Sequence, residues 1–256
     1  MGNWLEGKHI LILGASGRVG IDLSKQLMGK CDEITLVSRN VDNRLRNLEA
    51  ELSKIKSKTK VNIRITDVVI NPYIEISNLY CPNKQIDALV YCVGGSPCFE
   101  ILENMHLEEI QEIININLIA PIFWLNSLLP IFKKIKTKNN KRAHVIILSS
   151  RSGERGSPML SVYSAAKGGM ELFVDAVRKE YARHDIVFSL INPGGIKAPY
   201  FSEKWSKERK AIYNKQSMDS IDAVQPIISC LQWDFATNKI SYESVKQWHH
   251  EQGILC

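Results

Sequence analysis

The stretch HILILGASGRVG, residues 9–20, constrains the fold more than any other part of the chain. HILILG (9–14) is a short apolar run without polar alternation, which predicts a strand covered on both faces. Glycines follow at 14, 17 and 20 with no linker between. RVGIDLSKQLMGK then places Val19, Leu23 and Leu27 at helical spacing and stops near Gly29. A buried strand that turns on glycines directly into a helix opens a strand–helix–strand unit.

The alternation continues along the chain. EITLVS (33–38), VNIRIT (61–66), DALVYCV (87–93), AHVIILSS (143–150) and DIVFSLINPGG (from 185) predict further strands. Helical patterns fill the gaps at 43–55, about 106–136 and 161–184. Crossovers this long between consecutive strands require parallel pairing, with helices on both faces of the sheet. The expected fold class is α/β: a doubly wound parallel sheet, the Rossmann fold, in three α/β/α layers. No repeat or Pro/Gly-rich linker divides the 256 residues. A single dinucleotide-binding and catalytic domain, 1–256, with a substrate-loop region at about 195–256, is expected.

Composition narrows the class of function. A formal charge of +6 is mild, and its densest basic stretch, KKIKTKNNKR (133–142), lies between apolar segments. That placement fits a solvated helix end and loop, so neither nucleic acid nor a membrane is an expected partner. No apolar run approaches the roughly 20 residues that span a bilayer. The N-terminus runs directly into a strand, without room for a signal peptide. The six cysteines form no C-x-x-C pair and no metal-ligand spacing with histidine. His249 and His250 are consecutive and point apart, so no metal is expected. These features predict a soluble cytoplasmic protein with free thiols.

Gly14, Gly17 and Gly20 form G-x-x-G-x-x-G, a variant of the dinucleotide fingerprint. Glycine is needed where the chain turns sharply and where backbone must approach a pyrophosphate. The helix N-terminus then offers N–H groups to that anion. Ser16, Arg18 and Val19 belong to the same turn. The second strand ends in Ser38 and Arg39, with no carboxylate to accept from a ribose 2′-hydroxyl. A guanidinium there suits a 2′-phosphate, and Arg18 adds a second positive charge. NADP(H) is favoured over NAD(H).

With these elements in order, the chain resembles the short-chain dehydrogenase/reductase family, single-domain branch, from about residue 8 to about 200. TDV (66–68), YCVGG (91–95), ININL (114–118), ILSS (147–150), YSAAK (163–167) and NPGG (192–195) carry the resemblance. It implies that Asp67 and Val68 touch the adenine, and that Val93, Gly94, Pro193, Gly194 and Ile196 complete the cofactor site. It also implies a catalytic set of Ser150, Tyr163, Lys167 and Asn117, in which Asn117 holds a water that relays protons. Ser150 stands thirteen residues before Tyr163, as the family requires, and Ser149 faces the other way on a strand.

Reduction of a carbonyl needs a hydride on carbon and a proton on oxygen. A free tyrosine has a pKa of about 10, too high for ready proton exchange at neutral pH. Lys167, one turn after Tyr163, lies on the same helix face, and its charge, with that of an oxidised nicotinamide, is expected to favour the phenolate and bring the phenol towards working pH. Ser150 is expected to stabilise charge on the substrate oxygen. Contacts to a small-molecule carbonyl or alcohol substrate are expected from the loop after VGG, from 151–160 and from 198–215, with Ser96, Phe99 and Tyr200 as candidates. Phe201 and Trp205 are further candidate pocket walls.

The chain departs from the family in three places. Tyr91 and Cys92 replace two asparagines, which removes hydrogen bonds that stiffen that turn. Ala198 stands where a threonine binds the carboxamide of nicotinamide. NKISYESVKQWHHEQGILC lacks the glycine-rich ending that packs at a subunit interface, so a homo-oligomer of dimer or tetramer form stays open. Two rival readings are a cofactor-binding sensor or scaffold without turnover, and an enzyme like the sugar-nucleotide epimerases and dehydratases. The first usually lacks the tyrosine or lysine; the second needs a larger C-terminal substrate domain. Titration with NADPH and NADH, followed by nicotinamide fluorescence, is expected to show tighter NADPH binding. Equal affinities, or tighter NADH, would remove Arg39 from the account.

Overall fold

β1 (His9–Leu13) is buried at all five positions, as a central strand covered on both faces must be. In the computed structural model, which describes residues 4–39, 43–69, 85–134, 142–197, 207–233 and 239–242, it is followed by α1 (Arg18–Leu27), β2 (Glu33–Ser38), α2 (Arg44–Ser53) and β3 (Lys60–Ile65). β4 (Ala88–Tyr91), α3 (Leu107–Ile114), α4 (Ala120–Lys134), β5 (Ala143–Leu148), α5 (Ser161–Glu180) and β6 (Ile186–Pro193) come next. α6 (Lys207–Gln216), α7 (Ser220–Trp233) and β7 (Ile240–Tyr242) complete the order.

The strands form one seven-stranded sheet in the order β3-β2-β1-β4-β5-β6-β7, and every pair is parallel. Alternate residues of a strand enter opposite layers. Ile10 and Ile12 pack with Leu23 and Leu27 of α1, Leu48 of α2 and Ile227 of α7. Leu11 and Leu13 pack with Trp124, Leu128 and Phe132 of α4 and Val174 of α5. Helices therefore cover both faces, the three-layer arrangement that the alternation predicts. The chain proceeds from β1 through β2 to β3 in one direction, then crosses to β4 on the other side of β1. That reversal opens a crevice at the carboxyl ends of β1 and β4, where open parallel sheets bind ligands.

Several elements differ from their sequence expectation. DALVYCV pairs over 88–91 and AHVIILSS over 143–148. The residues beyond leave the ladder at the carboxyl edge, which frees their backbone and side chains for a site. The stretch from Leu107 to Lys134 is one helical run of 28 residues, long and apolar enough by length and composition to cross a bilayer. This corrects the expectation that no apolar run approaches that length. Here its stripe of Trp124, Leu125, Leu128, Leu129 and Phe132 is covered by the sheet. A π-turn at Asn115–Ile119 interrupts the run.

β7 was not foreseen in the C-terminal segment. It spans three residues of mixed polarity, too few for a period to show. Its place is set from outside: Ile191 pairs with Ile240 and Pro193 with Tyr242, Gly194 N–H donates to the Tyr242 carbonyl at 2.7 Å, and the Tyr242 hydroxyl donates to the Ala223 carbonyl at 3.2 Å. Cys31, Cys92, Cys98 and Cys230 are free thiols. His249, His250 and most of the basic stretch at 133–142 lie outside the described residues.

Candidate active site

The glycine turn brings the first strand's end against the fourth's. Gly14 has φ of 85°, and a Cβ there would lie 2.9 Å from the Val93 nitrogen. A Cβ on Gly20 would lie 2.4 Å from the Gly14 carbonyl oxygen, so α1 can start this close to β1 only without a side chain. Gly17 caps α1; no side chain caps its N–H groups, and no acidic residue stands in its first turn. Such a terminus is open to an anion. Arg18 donates from Nη2 to the Ile196 carbonyl at 3.3 Å, while its buried Nη1 has no hydrogen-bond partner. Burial lowers the Arg18 pKa, with Tyr213 and Asp22 opposing.

At the end of β2 the Ser16 and Ser38 hydroxyls share a hydrogen bond. Arg39, 61% exposed, lies 3.9 Å from Asp67, whose other oxygen accepts from Val69 N–H at 3.0 Å. Ser16, Ser38, Arg39, Asp67 and Val68 line a hollow of about 350 Å³ together with Arg44. Val93, Gly94 and Ser96 line both this hollow and a neighbouring cleft of about 520 Å³. A guanidinium with an orphaned buried nitrogen, an uncapped helix N-terminus and glycines where a Cβ would collide together fit a dinucleotide phosphate.

The larger cleft collects Gly17, Arg18 and Val19 with Ser150, Tyr163, Lys167, Pro193, Gly194, Ile196 and Phe99. Ser150 caps a short 3-10 turn, Arg151–Gly153, with its hydroxyl accepting from Ser152 N–H. Ser149 Oγ is buried without a hydrogen-bond partner. Lys167 is 3% exposed, and its Nζ donates to the Leu148 carbonyl at 3.1 Å. Gly94 has φ of 153°, and a Cβ there would lie 2.9 Å from both the Lys167 Nζ and Asn117 Oδ1.

Asn117, buried in the π-turn, does not line the cleft but braces it. Its Nδ2 donates to the Gly95 carbonyl at 2.8 Å and to the Ile113 carbonyl at 2.9 Å, and its Oδ1 accepts from Gly95 N–H at 3.0 Å. The turn that follows Tyr91 and Cys92 is held from another element, because this one carboxamide grips Gly95 on both sides. Tyr91 is buried instead, donating to the Ile116 carbonyl at 3.4 Å. π-turns are frequent at functional sites because the extra residue re-aims a side chain.

Among the chain's own groups, burial dominates the ionisation of Tyr163. Burial pushes the half-buried phenol up to about 12; a hydrogen bond with Ser150 opposes this and Tyr213 adds to it. Lys167 Nζ lies 5.8 Å from the centre of the Tyr163 ring. Burial lowers its own pKa to about 8, with Cys92 and Glu171 raising it. Desolvation outweighs the hydrogen bond from Ser150, so the chain's own groups keep the phenol protonated.

Arg151 and Arg155, from the stretch 151–160, and Tyr213, from 198–215, line the cleft where substrate contacts are expected, and Arg44 lines it without having been singled out in the sequence. Tyr213 arrives through long-range pairing: Lys197 N–H donates to the Met218 carbonyl at 2.9 Å, and Met218 N–H to the Gly195 carbonyl at 2.9 Å. No local pattern announces that contact. Phe99 meets Tyr213 edge to face with ring centres 6.5 Å apart. Ser96 lies on the cleft wall, whereas Ala198, Tyr200, Phe201 and Trp205 lie outside the described residues.

Comparison with known proteins places the chain among relatives of this fold. A family model described as short chain dehydrogenase matches residues 8–209. The chain is 28% identical over 251 residues to the 3-oxoacyl-(acyl-carrier-protein) reductase FabG of Rickettsia felis, covering 98% of each. It is 27% identical over 203 residues to dehydrogenase/reductase SDR family member 7B of Xenopus laevis, covering 77% of this chain but 60% of that protein's length. Among solved structures, a short-chain type dehydrogenase/reductase from Mycobacterium ulcerans superposes with a TM-score of 0.81 at 15% identity, covering 95% of this chain and 91% of that one. An alcohol dehydrogenase from the archaeon Thermococcus sibiricus, complexed with 5-hydroxy-NADP, superposes at 0.78 with 22% identity, covering 94% and 97%.

The lowered Lys167 pKa predicts a stability signature. The folded state releases this proton near pH 8 and the unfolded chain near 10.5, so the unfolded state binds more protons between those values. Stability therefore rises with pH across that window, and below pH 8 the buried ammonium costs roughly 3 kcal/mol. Lys167→Met is expected to raise Tm at pH 7, with the gain shrinking towards pH 10. A change in Tm equal at both pH values would contradict the shift.

Proposed function

The chain belongs to the short-chain dehydrogenase/reductase family of nicotinamide-dependent oxidoreductases, and we propose that it moves a hydride between NADP(H) and a carbonyl or secondary alcohol. The convergence of Ser150, Tyr163 and Lys167 in the cleft that begins at the glycine turn carries this reading. When bound, the nicotinamide supplies the hydride in reduction or takes it in oxidation.

The residues of the chain do the rest. Tyr163, protonated at neutral pH, donates its phenolic proton to the oxygen of the carbonyl as that oxygen gains charge. Ser150, whose one hydroxyl proton otherwise serves the phenol, turns that proton to the same oxygen, which stabilises the developing negative charge. Lys167 holds the positive end of the site and returns a proton towards Tyr163. Asn117 fixes the Gly94–Gly95 turn over Lys167, which gives that path its geometry. In the oxidative direction Tyr163 accepts the proton, and Lys167 favours the phenolate.

The preference for NADP(H) rests on Arg39 and Ser38 at the end of β2, with Arg18 and Arg44 in the same hollows. An adjacent carboxylate favours a ribose 2′-hydroxyl, whereas a guanidinium favours a 2′-phosphate. Related folds serve both cofactors: an NADH-dependent reductase complexed with NAD superposes with a TM-score of 0.76. The proposal extends to a homo-oligomer, whose interface would be expected to cover exposed apolar side chains such as Leu172 on α5, 74% exposed.

Oxidation of NADPH by a panel of ketones, acyl thioesters and oxidised sugars tests the reading. At least one class is expected to be reduced, and Ser150→Ala is expected to lower its kcat about 10²–10³-fold. A protein that binds NADPH tightly yet reduces nothing in the panel would favour the sensor reading.

A further inference from the structure

One helical turn beyond Lys167, two carboxylates meet at one amide. Asn192, fully buried on β6, donates from Nδ2 to Glu171 Oε1 at 2.6 Å and to Glu154 Oε1 at 3.0 Å. Two like charges this close need compensating cations. Lys239 Nζ supplies one, 3.2 Å from Glu154 Oε1 and 3.2 Å from Glu171 Oε2. Arg151 Nε lies 3.1 Å from Glu154 Oε2, and Ser241 of β7 also donates to Glu154. None of Glu154, Glu171, Asn192 and Lys239 lines the cleft.

The cluster nevertheless grips two groups that do. Glu154 directly follows the turn that Ser150 caps. Gly153, inside that turn, is pressed against α5: a Cβ there would lie 2.7 Å from Glu171 Oε1 and 2.9 Å from the Lys167 carbonyl carbon. Glu171 is also one turn from Lys167 on the same helix face. The groups facing the Lys167 side chain are Tyr163 on its own helix, Cys92 after β4, the Leu148 carbonyl of β5 and Asn117 across Gly94. Glu171, one turn further along α5, is the carboxylate whose charge acts on Lys167 and raises its pKa.

We infer that Glu171, held by Asn192 and compensated by Lys239, is a positioning residue that fixes the Ser150 turn against α5 and sets the charge on Lys167. The compensating cation comes from the residue just before β7, so the C-terminal strand closes the device. The inference rests on the reading of Ser150 and Lys167 as working groups, but its electrostatic half stands without any substrate.

The test is a pH titration of Lys167 in the full chain, followed by NMR of ¹³C-labelled lysine side chains and assigned with Lys167→Met. Glu171→Gln removes a negative charge near the ammonium and is expected to move its titration to lower pH. Lys239→Met removes the cation that offsets Glu171 and is expected to move it to higher pH. Opposite displacements are a signature that general loosening of the fold does not produce. Should Glu171→Gln fail to fold, the 41% exposed Lys239 side chain leaves Lys239→Met to decide the sign alone. No displacement, or displacement of both variants in one direction, overturns the inference. That failure would leave the hydride-transfer reading intact, because turnover and the Lys167 titration are read separately.

Discussion

The Lys167 ammonium is buried at the carboxyl edge of the sheet, with its Nζ donating to the Leu148 carbonyl at 3.1 Å. Taking an isolated charge out of water costs several kcal/mol, so its surroundings must be arranged for it. β5 ends at Leu148, which leaves that carbonyl free of the ladder and available as an acceptor. Position 94 must be glycine, because any Cβ would press on Nζ. The turn that contains Gly94 is held by the Asn117 carboxamide on both sides of Gly95, and Asn117 is delivered there by a π-turn in the longest helical run. Three elements thus take their local shape from one buried cation.

The same edge explains why the candidate cofactor site and the proposed reacting groups lie together. The reversal between β1 and β4 opens the crevice, and Gly14 allows the two strand ends to approach within contact of Val93. Arg18 reaches from the first helix to the Ile196 carbonyl after β6, so the two halves of the sheet meet around the place for the phosphates. Tyr163 and Ser150 then face the same space from α5 and from the end of β5. Desolvation keeps the phenol protonated, which suits a proton donor in carbonyl reduction.

Much of this was legible in the residues. Spacing alone located the glycine turn, because a sharp turn and a close helix approach both require glycine at fixed offsets. Apolar runs and their alternation gave the strands β1 to β6 and the parallel order of the crossovers. The separation of Ser150, Tyr163 and Lys167 survived folding because a strand end and one helix carry all three. What stayed hidden depends on contacts far apart in the sequence. β7 is too short to show a period and is placed by β6 and Ala223. Tyr213 is carried to the cleft by pairing between Gly195 and Met218. The π-turn at Asn117 looks like ordinary helix in the sequence, and the rise in the Tyr163 pKa follows from burial that spacing does not reveal.

The central claim is that Tyr163 supplies the proton in a cleft that binds the cofactor independently of it. Single-turnover oxidation of bound NADPH with a reducible carbonyl, compared between the natural chain and Tyr163→Phe, tests this most directly. The account predicts NADPH affinity unchanged within about twofold and a hydride-transfer rate lower by about 10²–10⁴-fold. A Tyr163→Phe protein that transfers hydride at the natural rate would contradict it.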